Sequence, residues 1–229
     1  MTGLEFFDII PFGDNALLIN ITHPDLSQVN KFVVKIVQLL KCYRPKNTLD
    51  IIPASNSVTI VYDNLRTDYA RLTENLQSIF EKDPEDYLSL PNRVELPVCY
   101  HDEYAPDLEE VCVQTGLTPA NLISIHVETT YTVLMTGFMP GFFYLGVLPE
   151  KINVSRKRTP RTMVPSGAVG LAERQTGIYS VNSPGGWQII GRSLNLLKEI
   201  TEGSIKSTIG DEVRFYEVSK LEFNNLSRR

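Results

Sequence analysis

Cysteine, histidine and tryptophan are scarce in this 229-residue chain: three cysteines, three histidines and one tryptophan. Cys42, Cys99 and Cys112 form an odd, scattered set without a CxxC pair, which excludes a disulfide framework and a zinc knuckle. Cys99 and His101 offer two ligands, too few for a metal site, so no metal centre is expected in the chain itself. The thiols read as reduced side chains of a cytoplasmic protein. No apolar run approaches the roughly 18 residues needed to span a bilayer. The opening MTGLEFFDIIPFGD lacks the basic start and apolar core of a secretory signal. Excess positive charge is missing too. A net charge of −5 gives no general attraction for nucleic acid or an anionic membrane. GxSxG, a P-loop and HExxH are all absent, so no motif marks a self-sufficient enzyme.

What is present is enough apolar side chain for a real core. Hydrophobic residues make up 42% of the chain against 21% charged, ordinary for one large or two small globular domains. In the first ninety residues, EFFDIIPF and NALLINI flank a Gly13-Asp14 turn and predict a hairpin. Pro24 then opens a predicted helix with Val29, Phe32, Val33, Ile36, Leu39 and Leu40 on one face. TLDIIPA and SVTIVYD read as two strands. A second helix is expected from about Asp68, with Tyr69, Leu72, Leu76, Ile79 and Phe80 aligned. This pattern predicts a small α/β sandwich-like layer with two helices on one face of a sheet. DPEDYLSLPN, residues 83–92, is the expected linker, so the domains are taken as 1–90 and 91–229.

The second half has a different texture. VELPVCY predicts a strand, and Pro106 and Pro119 stand where short helices over 106–115 and 119–126 can begin. From Thr130 onward no long helical pattern appears. YTVLM, AVGLA, GIYSV, WQIIG and EVRFYEV are short runs separated by glycine, proline and asparagine, which predicts a β-barrel or sandwich. The overall class is therefore α+β.

Nine of the fourteen glycines fall between residues 137 and 192. The stretch GFMPGFFYLGVLPE (137–150) sets four aromatic rings among three glycines and two prolines, a composition that suits neither a clean strand nor a helix. Residues 151–192 hold seven basic side chains, Lys151, Arg156, Lys157, Arg158, Arg161, Arg174 and Arg192, against the single acid Glu173. In an acidic protein this local excess points to an anion site or an acidic partner surface, since arginine forks match carboxylates and phosphates. A solvated basic loop is the alternative for RKRTPR. SPGGWQIIGR (183–192) places the lone Trp187 beside a Pro184-Gly185-Gly186 turn, as a pocket wall or as a structural core residue. His126, near the end of a predicted helix, titrates in the range of a general base, or else is a satisfied structural histidine.

Taken together, His126-x4-Tyr131, GFMPGFFYLG, R-x-R-x-PR at 156–161, VPSGAVG at 164–170, QTGIY at 175–179 and SPGGWQIIGR at 183–192 resemble one family. It is the B subunit of bacterial 5-oxoprolinase, a family that includes the kinase inhibitor KipI and proteins called allophanate hydrolase subunit 1. PFGDNALLINI, PVCY at 97–100 and PDLEEV at 106–111 extend the likeness over nearly the whole chain. Val147 and Ser166 depart from the usual glycine and alanine at their positions. The resemblance implies a small N-terminal α/β domain and a C-terminal cyclophilin-like closed β-barrel. It implies a paralogous C subunit of 5-oxoprolinase as partner, the pair resembling the carboxyltransferase-like domain of urea amidolyase. Joined by an A subunit, such a pair cleaves 5-oxoproline to glutamate using ATP with Mg2+. By the same resemblance His126 and Arg161 are the catalytic candidates. Tyr144, Arg158, Gln175, Arg192, Gly185 and Gly186 are the candidates for binding substrate or nucleotide. Phe138, Pro140, Phe142 and Trp187 are the expected pocket wall. The competing expectation is a KipI-like protein that binds and inhibits a sensor histidine kinase. An unpartnered barrel edge also predicts a homo-oligomer when the chain is isolated.

Overall fold

The computed structural model describes residues 6–82, 91–194, 196–203 and 207–227. The chain divides into two compact units, Met1–Leu90 and Pro91–Arg229. In the first, β1 (Phe7–Pro11) and β2 (Ala16–Ile21) form a hairpin around Gly13. Helix α1 (Leu26–Cys42) follows, then the hairpin of β3 (Thr48–Pro53) and β4 (Ser57–Tyr62), then α2 (Tyr69–Phe80). The strands lie in the order β1-β2-β4-β3, all antiparallel. Side chains alternate between the faces of a strand, so Leu17, Ile19 and Ile21 of β2 share a buried face with Val58, Ile60 and Tyr62 of β4. The helices supply the matching stripe at their own period. Val29, Val33, Ile36 and Leu40 are buried from α1, and Leu72, Leu76, Ile79 and Phe80 from α2. Phe32 and Tyr69, expected on these faces, are half-buried at the margin.

Helix α1 starts two residues after Pro24. The Asp25 carbonyl takes the Gln28 and Val29 N–H groups there, while His23 Nδ1 accepts from the Asp25 N–H at 3.0 Å. Asp68 caps α2 by accepting from the Arg71 N–H at 2.9 Å. Of the expected linker, residues 83–90 lie outside the described residues.

The second unit begins with β5 (Arg93–Val98), α3 (Leu108–Thr115) and α4 (Pro119–Glu128). It continues with β6 (Thr130–Thr136), β7 (Phe143–Gly146), β8 (Arg161–Val164), β9 (Ala168–Ala172), β10 (Gln175–Ile178), β11 (Ser183–Gly185) and β12 (Gln188–Arg192). Helix α5 (Leu196–Thr201), β13 (Glu212–Glu217) and α6 (Lys220–Leu226) complete it. Seven strands make one curled sheet in the order β12-β9-β10-β7-β6-β13-β5, with β13 and β5 parallel and the other pairs antiparallel. The curl brings the two edges together. Cys99, just after β5, and Arg192, the last residue of β12, exchange main-chain hydrogen bonds of 2.8 and 2.9 Å. That contact closes the barrel, the first of the two architectures expected from the short strands. It needs glycine at position 191, where a Cβ would stand 2.8 Å from Val98 Cγ1. Strands β8 and β11 form a separate two-stranded ribbon.

The barrel is filled by Val98, Tyr131, Val133, Leu145, Leu171, Ile190 and Phe215, with Val111 of α3 and Leu122 of α4 packed on them. Pro106 stays ahead of its helix, whereas Pro119 is the first residue of α4 behind the Thr118 cap. The short helices α5 and α6 lie beyond the reach of the periodicity argument. For α6 a local signal is present as Ser219-Lys220-Leu221-Glu222, which forms a full capping box.

Candidate functional site

The glycine- and aromatic-rich stretch forms the link from β6 to β7 and then β7 itself, a four-residue strand within a run whose composition suits no clean strand. Its turn is tied by Met139 N–H to the Gly137 carbonyl at 2.8 Å, and Ser180 Oγ donates to the Pro140 carbonyl at 2.6 Å. Phe138 adopts φ +67°, the left-handed region that costs a non-glycine residue about 1–2 kcal/mol. The residue is 64% exposed. Phe142, by contrast, is buried at the hub of a ring cluster. Tyr144, Trp187, Tyr179 and Phe138 meet it edge-on at centroid distances of 4.7, 5.5, 5.6 and 5.8 Å. The cluster rests against Gly177, where a Cβ would lie 2.7 Å from the Phe143 carbonyl oxygen and 3.1 Å from Phe142 Cζ. The mixture of glycines and large rings thus has a packing reason: the rings sit where backbone is bare.

Beside the cluster lies a pocket of about 310 Å³. The β6–β7 segment contributes Phe138, Phe142 and Tyr144 to its wall. Tyr179, just past β10, and the turn Pro184–Gly186 with Trp187 form a second side. Arg156, Lys157 and Pro160, from the segment before β8, form a third.

The two cations at the pocket differ. Lys157 Nζ donates to Asp107 Oδ1 at 2.9 Å, Glu110 Oε2 at 2.8 Å and Gln188 Oε1 at 3.4 Å. Asp107 is 2% exposed and anchors this cluster, also accepting from Arg161 Nη2 at 2.6 Å and the Ile189 N–H at 2.6 Å. Burial alone pushes the Asp107 carboxyl up, but the Arg161, Ile189 and Lys157 bonds outweigh it and hold the group below its ordinary range. Arg156 is paired only loosely, its Nε 3.6 Å from Glu173 Oε1 across two well-exposed side chains. Burial raises the Tyr144 phenol against the pull of Arg156, so Tyr144 keeps its proton and can donate.

His126 is not at this pocket. It is wholly buried, stacked on Phe215 with centroids 4.7 Å apart, on the same face of α4 as Leu122 four residues before. Its hydrogen bonds fix the tautomer. The Thr176 hydroxyl spends its proton on the Gly170 carbonyl at 3.0 Å, so it accepts from His126 Nε2–H at 3.1 Å. Nδ1 is left to accept from the Tyr100 hydroxyl at 2.7 Å. Burial depresses the imidazole pKa to about 3. A sealed, neutral ring with both nitrogens engaged is a core residue, which corrects the expectation of a general base.

Other expected residues are also elsewhere. Arg161 is held by Asp107, and Arg192 lies over the Tyr104 ring at 5.7 Å beside the barrel closure. Gln175 pairs in β10 with Gly146 and Ala172, away from the pocket wall. Pro140 and Arg158 lie outside that wall. Phe138, Phe142, Tyr144, Gly185, Gly186 and Trp187 do come together.

The carboxyltransferase domain family, subdomain C and D, matches residues 7–202. The 5-oxoprolinase B subunit of Bacillus subtilis (strain 168) is 35% identical over 230 residues, covering 95% of this chain and 95% of that protein. The chain belongs to the family of 5-oxoprolinase B subunits. A solved structure of a conserved uncharacterised protein from Pyrococcus horikoshii is 34% identical, with a TM-score of 0.55 over 94% of this chain and all of that one. The urea amidolyase structure of Kluyveromyces lactis shares the fold at a TM-score of 0.76 and 15% identity, with this chain spanning 97% of its own length and 15% of that protein's.

Within this member of the 5-oxoprolinase family, the residues that sequence reasoning missed are Arg156, Lys157, Pro160, Tyr179 and Pro184. Each lies inside a motif already noted. What could not be read was which cation of RKRTPR stays available, because the answer rests on Asp107, 50 residues from Lys157.

Proposed function

We propose that this chain is the B subunit of an ATP-dependent 5-oxoprolinase, forming with a paralogous C subunit the component that phosphorylates the lactam oxygen of 5-oxo-L-proline. Ring opening is completed by the A subunit. The observation that carries this reading is convergence. Four motifs that define the resemblance, GFMPGFFYLG, R-x-R-x-PR, QTGIY and SPGGW, each give side chains to one pocket. A relative named as the B subunit of 5-oxoprolinase matches over nearly the full length.

The chemistry suits such a pocket. Amide resonance makes a lactam carbon a poor electrophile. Attack of the lactam oxygen on the γ-phosphorus of ATP releases ADP and leaves an activated carbon. Water adds there, the C–N bond breaks and phosphate departs, giving glutamate. Positioning and charge stabilisation do most of the work in phosphoryl transfer. In this chain the aromatic wall excludes water, and the Tyr144 hydroxyl is a donor for the substrate. A Mg2+-bound triphosphate asks for more. The donors of Lys157 are used, and among the described residues no group of three or more His, Cys, Asp or Glu is placed to hold a metal ion. The reading therefore leaves ATP and Mg2+ to the assembled complex, and it sets that complex in the cytoplasm. Among the described residues no helix is long and apolar enough to cross a membrane.

The test is glutamate formation from 5-oxoproline and ATP with the A, B and C subunits, each omitted in turn. Activity should vanish when this chain is left out. Full activity without it overturns the proposal and turns attention to histidine-kinase binding.

A further inference from the structure

An ammonium group has three N–H donors, and Lys157 has three acceptors around it: Asp107, Glu110 and Gln188. It is a rim strut with nothing left to give a ligand. The guanidinium of Arg156 has five donors, and its ion-pair partner among the described residues is Glu173, with side-chain exposures of 55% and 66%. A pair so exposed contributes little and yields readily to a better-placed carboxylate. The pocket thus offers one available cation, one phenol donor in Tyr144, and a wall of rings fixed by their packing on Phe142. Its volume of about 310 Å³ suits one small ring. One arginine matches one carboxylate fork, not a chain of phosphates.

We infer that the isolated chain binds a small cyclic carboxylate in this pocket, with Arg156 taking the carboxylate and the Phe142–Tyr144–Trp187 wall seating the ring. Resting on the function proposed above, that ligand is 5-oxo-L-proline itself, bound before ATP or any partner arrives. The lactam oxygen has the Tyr144 hydroxyl as a donor, and Asp107 keeps Lys157 from competing for the carboxylate.

Trp187 is the only tryptophan and lines the pocket, so its emission reports on this site alone. The isolated full-length chain is titrated with 5-oxo-L-proline, with 2-pyrrolidone, which keeps the lactam and lacks the carboxylate, and with ATP. Calorimetry of the same titrations detects a ligand that leaves the emission unchanged. Saturable binding of 5-oxoproline is expected, weakened roughly tenfold to a hundredfold in Arg156→Gln by loss of charge-assisted hydrogen bonds. Pyrrolidone should bind weakly and equally to both proteins. Saturation by ATP and not by 5-oxoproline overturns the inference, as does equal 5-oxoproline affinity in Arg156→Gln. Absence of both heat and emission change with 5-oxoproline overturns it too. The reconstituted turnover assay separates the two claims. Turnover that needs this chain, without binding by the isolated chain, sinks only the inference. Binding without any contribution to turnover sinks only the proposed function.

Discussion

Consider Asp107→Ala. The change deletes a buried carboxylate, strands the Ile189 N–H and Arg161 Nη2, and takes from Lys157 Nζ one of its acceptors, leaving Glu110 and Gln188. An unsatisfied buried N–H costs about 1–3 kcal/mol. Arg161 and Lys157 keep some contact with water, at 29% and 20% side-chain exposure, and Lys157 keeps Glu110 as well, so Arg161 loses about 1 kcal/mol and Lys157 less than that. The sum is roughly 2–4 kcal/mol, overlapping the range for breaking a buried pair from one side. In a domain of this size that lowers Tm by roughly 10 °C. Thermal unfolding by calorimetry at pH 7 measures it. The pH dependence carries a second check. Because Asp107 is held below its ordinary range in the folded state, its contribution is present above the unfolded value, about 3.9. It is lost as pH falls through the folded value. The gap between wild type and variant should therefore hold at neutral pH and narrow below about pH 4. A drop of less than about 3 °C at pH 7 refutes the reasoning. So does a gap that keeps its width at low pH.

Two further expectations concern the core and the pocket rim. His126 stays neutral in the folded protein, with a pKa of about 3, while the unfolded chain binds its proton near pH 6.5. Acidification therefore destabilises the second unit through this residue, by about 2 kcal/mol between pH 6.5 and 5. His126→Gln should flatten that slope in unfolding experiments, and an unchanged slope counts against the buried neutral ring. Phe138→Gly removes the left-handed penalty and an exposed ring while adding chain entropy, so stability should move by less than about 1 kcal/mol. Affinity for 5-oxoproline should fall all the same. A large loss of stability with affinity intact reverses the role given to that ring.

Periodicity alone is enough to read the helices of the first unit, because residues three and four apart share a helix face whatever surrounds it. Leu72, Leu76, Ile79 and Phe80 are buried for that reason. Strand parity likewise makes β2 and β4 legible, and the short runs between glycines announce a barrel or sandwich, which the resemblance narrows to a barrel. The pocket is partly legible. Phe138, Phe142, Tyr144, Gly185, Gly186 and Trp187, drawn from two separate motifs, line one pocket. His126 is open to misreading although a signal is available, since it follows Leu122 by four residues and so faces the core with it.

The division of labour has a physical basis. Local sequence determined the helices and strands of the first unit and most of those of the second, since propensity, period and capping act within a few residues along the chain. It also determined that bare backbone and large rings would occur side by side. Tertiary structure alone decided which charges remain available at the pocket. Buried Asp107 takes up Arg161 and Lys157 from 54 and 50 residues away, and Arg192 is drawn over Tyr104 near the barrel closure. Arg156 is left at the pocket with an exposed partner. Charge pairing depends on distance and burial in three dimensions, and neither is written in the order of residues along RKRTPR.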